Sequence, residues 1–233
     1  MSEEKYFRRI RSFVRREGRL TKGQQRGLDE LFPIYGLAPA KNEILNFETI
    51  FENANPVHLE IGFGNGKSFT QMAVNNPDTN YVGIEVHRPG VGNALLQIEE
   101  QSLTNVRVSY EDAVDVLKHH VPDDSLSAIY IFFPDPWHKK RHHKRRIIQT
   151  GFVELLKQKL KDGAILHYAT DWEDYAHHMM EVMRQLDGFT NLADGSVREG
   201  GFSERPDYRP ITKFEQRGLR LGHGVWDLIF RKI

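Results

Sequence analysis

The chain has 233 residues, enough to bury a sizeable core and better matched to one large domain than to two. It carries 32 basic and 32 acidic side chains, a formal net charge of zero, and no cysteine, which excludes a disulfide framework, a thiolate-metal site and a thiol nucleophile. No stretch approaches the roughly 18 consecutive apolar residues of a membrane span, and the N-terminus lacks an apolar secretory core, so a cytoplasmic protein without a membrane partner is expected.

The charge is unevenly spread. Positions 1–26 carry Lys5, Arg8, Arg9, Arg11, Arg15, Arg16, Arg19, Lys22 and Arg26 against Glu3, Glu4 and Glu17. A molecule of this kind steers a polyanion to one face while staying neutral overall. Residues 1–35 also hold Ile10, Phe13 and Val14 and then Gly18, Gly23 and Gly27, a pattern of short helix plus loop. Residues 1–50 are therefore read as a basic N-terminal extension, either an RNA contact or a flexible tail, and residues 51–233 as the main domain.

From Val57 short apolar runs alternate with helical patterns, which predicts βαβ units and a mainly parallel sheet. The strands are placed at 57–62, 81–85, 106–110, 128–133 and 164–169, with helices starting near Lys67, Gly90, Ala113 and Ile147. Ile148, Phe152, Leu155, Leu156 and Leu160 share one helical face, as do Tyr175, Met179, Val182, Met183 and Leu186 after the fifth strand, and both stripes read as core. The run 225–230 follows a long polar segment and is expected to be an antiparallel strand at or near a sheet edge. The fold class is α/β, Rossmann-like, with a mainly parallel sheet and an antiparallel C-terminal strand.

Candidate chemistry collects at the ends of these strands. Glu60-Ile61-Gly62-Phe63-Gly64-Asn65-Gly66 leads from strand to helix, and its glycines allow a tight turn and close approach of a ligand. A dinucleotide site wants a glycine three residues after Gly64, where Lys67 stands, and Glu60 would repel a pyrophosphate. A ligand with a cationic end fits better, and S-adenosylmethionine carries an ammonium and a sulfonium; a βα turn that merely needs glycine is the plain alternative. Glu85 follows Gly66 at nearly the offset from which an acid reaches ribose hydroxyls. Asp112 suits an adenine amino group or the N-cap of the next helix, roles that coexist.

Ile129-Tyr130-Ile131-Phe132-Phe133-Pro134-Asp135-Pro136-Trp137 reads as a strand buried on both faces, stopped by prolines, with a carboxylate left at its C-terminal end. The run 138–146 that follows holds six formal cations and no acid, a composition that favours a phosphate partner. His138 and His142 are four apart but lack a third ligand, so no metal is expected. Thr212 with Glu215, and Thr170 with Glu173, have the spacing of capping boxes and would start helices.

These motifs together resemble the bacterial tRNA (guanine-N7)-methyltransferases. The resemblance runs through Arg15-Arg16-Glu17-Gly18-Arg19-Leu20-Thr21, the Glu60 to Gly66 loop, Gly83-Ile84-Glu85, Phe133-Pro134-Asp135-Pro136-Trp137-His138-Lys139-Lys140-Arg141-His142, Ala169-Thr170-Asp171-Trp172 and Thr212-Lys213-Phe214-Glu215, in order along nearly the whole chain. His143 stands where asparagine is expected. The resemblance implies S-adenosylmethionine contacts at Glu60, Gly62, Gly64, Gly66, Glu85, Asp112 and Asp135, with Asp135 also catalytic. It implies substrate contacts at Lys139, Asp171, Thr212, Lys213, Phe214 and Glu215, and an RNA-binding segment at Arg141, His142, His143, Lys144, Arg145 and Arg146.

The implied activity is methyl transfer to guanine N7 at position 46, in the tRNA variable loop, by a monomer or homodimer that binds tRNA and no metal. Guanine N7 has a lone pair and no proton, so alignment and charge placement rather than a general base should carry the reaction. Trp137 and Trp172 are candidate stacking surfaces for an extruded base, or ordinary core residues. Transfer to another RNA or base position, or a tRNA-binding protein without catalysis, are the alternatives.

Overall fold

In the computed structural model the described residues are 12–13, 18–193, 200–211, 215–216 and 224–233. Seven strands form one sheet in the order β3-β2-β1-β4-β5-β7-β6: β1 Val57–Ile61, β2 Asn80–Ile84, β3 Val106–Ser109, β4 Leu126–Phe132, β5 Leu160–Thr170, β6 Phe189–Asn191 and β7 Trp226–Lys232. β1 to β5 are parallel, and β7 runs antiparallel to both β5 and β6. The order reverses between β1 and β4, so the crevice of this open sheet lies at the carboxyl ends of those two strands.

Continuous apolar sequence explains the centre of the sheet. All five residues of β2 are buried, as are six of the seven in β4, because helices cover both faces. The helices are α4 Lys67–Asn75, α5 Arg88–Glu100, α6 Ala113–His119, α7 Thr150–Lys159 and α8 Glu173–Arg184. The α8 stripe is as expected: Tyr175, Met179, Val182 and Met183 are buried with Ala176 and Met180. On α7 the stripe is shorter. Ile148 precedes the helix and Leu160 already opens β5, yet both are fully buried.

Some boundaries differ from expectation. β5 begins at Leu160 instead of Ala164, because Gly163, at φ +80°, lets the chain turn while the register against β4 shifts. β6 went unread, since three residues carry no measurable alternation, and it takes the edge position beside β7. Thr170 does not cap α8: its hydroxyl accepts from the Trp172 amide at 3.2 Å, and Trp172 holds the cap position.

Residues before β1 pack on the same body. α1 (Lys22–Arg26) is opened by a capping box between Thr21 and Gln24, and runs on through a π-helical turn at Gly27–Leu31 into α2 (Phe32–Tyr35). Leu28 and Leu31 join Val91, Leu95 and Val108 in one apolar cluster, while Leu45 and two residues of α3 (Phe47–Phe51), Phe47 and Phe51, join the other. Leu37 donates its amide to Val108 at 2.7 Å and so covers the free edge of β3.

α1 and α5 approach through glycine on both sides. A Cβ at Gly27 would stand 2.6 Å from the Gly92 carbonyl, and one at Gly92 would stand 2.5 Å from the Gln24 carbonyl. Both obstacles are backbone, so neither side yields without separating the helices. Gly92→Ala is expected to destabilise the protein by about 2 kcal/mol in urea unfolding, despite alanine's better helix propensity. Gly151→Ala, facing open space in α7, should not destabilise it.

Candidate active site

Glu60, near the end of β1, is 3 % exposed, and its Oε2 has no hydrogen-bond partner among the described residues. Burial, and secondarily the charge of Glu85, push its carboxyl up to about 8. The loop that follows is open to a ligand: Gly62 (φ +82°) and Gly64 (φ +60°) have nothing within 4 Å of the position a Cβ would take. Gly66 is different. It caps α4 at φ +83°, and a Cβ there would meet Ala94 of α5 at 2.5 Å, so its glycine serves helix packing.

Glu85 stands just beyond β2 and accepts from the Gly64 amide at 2.9 Å and from the His87 amide at 2.8 Å. One carboxylate thereby ties the glycine loop to the start of α5. Burial raises its pKa, and these amide bonds moderate the rise. Asp112, beyond β3, is buried and caps α6 by accepting from the Val114 amide at 3.0 Å, the N-cap role expected of it.

Asp135 is exposed three residues beyond β4, in a loop framed by two bulky residues with left-handed backbone, Phe133 (φ +51°) and Trp137 (φ +48°). Such residues cost on the order of 1–3 kcal/mol each and persist only where surroundings hold them. Here the Phe133 amide donates to Ala169 at 2.7 Å, Arg146 Nε donates to the Pro136 carbonyl at 2.9 Å, and the Trp137 indole donates to the Ser12 carbonyl at 3.2 Å. Asp171, one residue beyond β5, is exposed on the same rim. Next to it Trp172 is 39 % exposed, with the His138 ring against it at 4.2 Å.

The basic run forms a 3-10 helix, Lys140–Arg145, in which Lys140, Arg141 and Lys144 are exposed, as is Lys139 just before it. His142 packs edge-on to Trp137 and Arg145 lies 4.1 Å over that ring. Arg146 departs from the expected outward role. It is 3 % exposed, pairs with Asp174, bonds His143 at 3.1 Å and covers the Tyr175 ring, so it fastens the helix to α8. No group of His, Asp or Glu among the described residues could hold a metal ion, and none of their helices is long and apolar enough to cross a membrane.

Thr212, Lys213 and Phe214 lie outside the described residues. Glu215 is 4 % exposed, with both carboxylate oxygens on Arg209 at 2.8 Å, which is not the open position expected of a substrate contact. Arg209 also holds Asp227 of β7, at 2.7 and 2.9 Å, and Asp227 bonds His167 of β5 at 2.8 Å. These residues escaped sequence reading, although Asp227 and His167 each interrupt an apolar strand, and a charge within a buried strand requires a partner.

Because the folded Glu60 keeps its proton to about pH 8 while the unfolded one loses it near the ordinary value of 4.5, its contribution to stability is full below the lower value and is lost as pH rises between the two. Ligand-free protein should therefore lose up to about 5 kcal/mol across that window in urea unfolding, and Glu60→Gln should flatten the slope.

A family model whose description reads "Putative methyltransferase" matches residues 54–228. Curated relatives named tRNA (guanine-N(7)-)-methyltransferase include one from Aeromonas hydrophila, 55 % identical over 98 % of this chain and 94 % of its own, and one from Vibrio cholerae, 56 % identical over the same shares. A third, from Pseudoalteromonas translucida, is 56 % identical over 99 % of this chain and 93 % of its own. Among solved structures, the 16S rRNA methyltransferase KamB aligns with a TM-score of 0.59 at 13 % identity, covering 82 % of this chain and 95 % of its own. The aminoglycoside resistance methyltransferase NpmB1 aligns at 0.53 and 13 % identity, over 80 % and 92 %, and both likenesses concern the fold alone. With identity above half over nearly its full length, the chain belongs to the tRNA (guanine-N7)-methyltransferase family.

Proposed function

We propose that this protein transfers a methyl group from S-adenosylmethionine to N7 of a guanine in the variable loop of tRNA. The observation that carries the cofactor reading is the sealed, unpartnered oxygen of Glu60 beside a glycine loop with room for a ligand. A cation at that oxygen offsets the burial that keeps the carboxyl protonated, as the ammonium of S-adenosylmethionine would. Glu85 has lone pairs beyond its two amide bonds and suits ribose hydroxyls, and Asp112 keeps a second oxygen for an adenine amino group. When bound, the cofactor supplies an electrophilic methyl on sulfonium.

The chain's own part is placement. N7 brings its lone pair, forms the new N–C bond as the S–C bond breaks, and leaves the purine cationic with no proton to remove. Asp135, exposed on a loop of fixed backbone at the crevice, is placed to orient the base and to stabilise the positive charge as it develops. Trp172, with a free share of its surface and His138 at its edge, offers a stacking platform for a base drawn out of the tRNA fold. Lys139, Lys140, Arg141 and Lys144 face outward to meet phosphates.

Nucleoside mass spectrometry on unmodified tRNA, incubated with methyl-labelled S-adenosylmethionine, tests the reading. Labelled 7-methylguanosine is expected, with a loss of about a hundredfold or more in Asp135→Ala at retained cofactor affinity. Another methylated nucleoside would overturn the substrate; tRNA binding without label would leave a binding protein. The slope of tRNA affinity against salt should shrink by about two in Arg141→Ala/Lys144→Ala, measured by filter binding, and an unchanged slope would remove the basic helix from the interface.

A further inference from the structure

We infer that Arg209 is a positioning residue for the methyl acceptor, tying Glu215 and Asp227 to the base of the loop that carries Asp135. Arg209 is 1 % exposed, and its guanidinium spans two carboxylates: Nη1 and Nη2 on Glu215 at 2.8 Å each, Nε and Nη2 on Asp227 at 2.7 and 2.9 Å. Its cationic carbon lies 5.6 Å from the centre of the Phe133 ring and 5.9 Å from that of Phe132. Phe133 is the left-handed residue two before Asp135. One side chain thus touches Glu215 and Asp227 on one side and the base of the Asp135 loop on the other.

The anchor is fixed from behind. Asp227 pairs across the sheet with Ala169, whose carbonyl receives the Phe133 amide, and it also bonds His167, whose other ring nitrogen meets the Tyr208 hydroxyl at 3.0 Å. Burial pushes the Asp227 carboxyl up, but His167 and Arg209 outweigh that and hold it below its ordinary value. Two forked ion pairs on one guanidinium fix the angle between their carriers as well as the distance, which a lysine cannot reproduce. On this inference Glu215 acts through Arg209, which engages both of its carboxylate oxygens. The inference rests on the methyl-transfer reading above, and its test separates the two.

A double-mutant cycle of Arg209→Lys and Glu215→Gln, read as kcat/KM for tRNA and as S-adenosylmethionine affinity, distinguishes positioning from contact. Each single change should lower kcat/KM about tenfold or more with cofactor affinity held within about twofold, and the double should be no worse than the worse single. Multiplying losses would make Glu215 an independent substrate contact, and a parallel fall in cofactor affinity would reduce Arg209 to general stability; either overturns the inference. Hydrogen exchange reads it without activity: protection of the Phe133 amide should drop in Arg209→Lys while that of β1 and β2 holds, and unchanged protection overturns it. If Arg209→Lys does not fold, Glu215→Gln, which leaves the Asp227 fork in place, carries the same exchange test. A wild type that makes no 7-methylguanosine removes the proposed function, and the exchange result then still decides whether Arg209 ties Glu215 and Asp227 to the loop.

Discussion

A carboxyl group sealed from water must be met by a cation, a donor or a proton, and the carboxyl end of this sheet contains both a solved and an unsolved case. Asp227 on β7 and Glu215 before it share Arg209, with four hydrogen bonds at 2.7 to 2.9 Å, and Asp227 also bonds His167. On β1, Glu60 is buried to the same degree and has an oxygen with no hydrogen-bond partner among the described residues. An unsatisfied buried polar group costs on the order of 1–3 kcal/mol, more when charged. The first arrangement is satisfied by a cation within the fold; in the second, burial holds the proton on the carboxyl instead. The loop bearing Asp135 leaves β4, which lies between β1 and the β5–β7 pair in the sheet, so it stands between Glu60 and Asp227.

Sheet topology delivers both acids to one rim. Parallel β1 to β5 all end there, and β7, being antiparallel, begins there, with Trp226 beside Thr170 and Asp227 beside Ala169. A parallel final strand would have carried Asp227 to the opposite end. The rim is also where the backbone is strained, at Phe133 and Trp137. The bonds that hold those residues come from β5, from Arg146 and from Ser12 of the N-terminal segment, three separate parts of the chain. The loop bearing Asp135 is thus determined by tertiary contacts and not by its own conformational preference.

That distinction also explains what could be read from sequence. The strands of the parallel sheet and the acids at their ends were legible, because burial on both faces demands unbroken apolar runs such as Ile129 to Phe133, and because those runs end where the acids stand. Asp112 was legible as a cap because capping is local. Arg209 was not: nothing within Pro206-Asp207-Tyr208-Arg209-Pro210 reports that its side chain turns inward to partners six and eighteen residues away. The Gly27–Gly92 contact was equally silent, since each glycine reads as a weak helix residue until the other is brought against it. Arg146 shows the same limit in a different form, a cation in a basic run whose neighbours face water while it faces Asp174 and Tyr175.

Arg146 also changes how the charge of the basic segment should be counted. Six formal cations stand in residues 138–146, but Arg146 is spent on Asp174, Pro136 and His143, and Arg145 lies over the Trp137 ring. The outward cations are Lys139, Lys140, Arg141 and Lys144. Counterion release scales with phosphates neutralised, so the electrostatic contribution of this segment is set by those four and not by composition. The inward pair has a different task. Arg146 grips Pro136 and Arg145 covers Trp137, so the same segment that turns its other cations outward holds the Asp135 loop. On the proposed function, a polyanion drawn to the outer face would be seated against the loop carrying Asp135, which would couple binding to placement through one turn of chain.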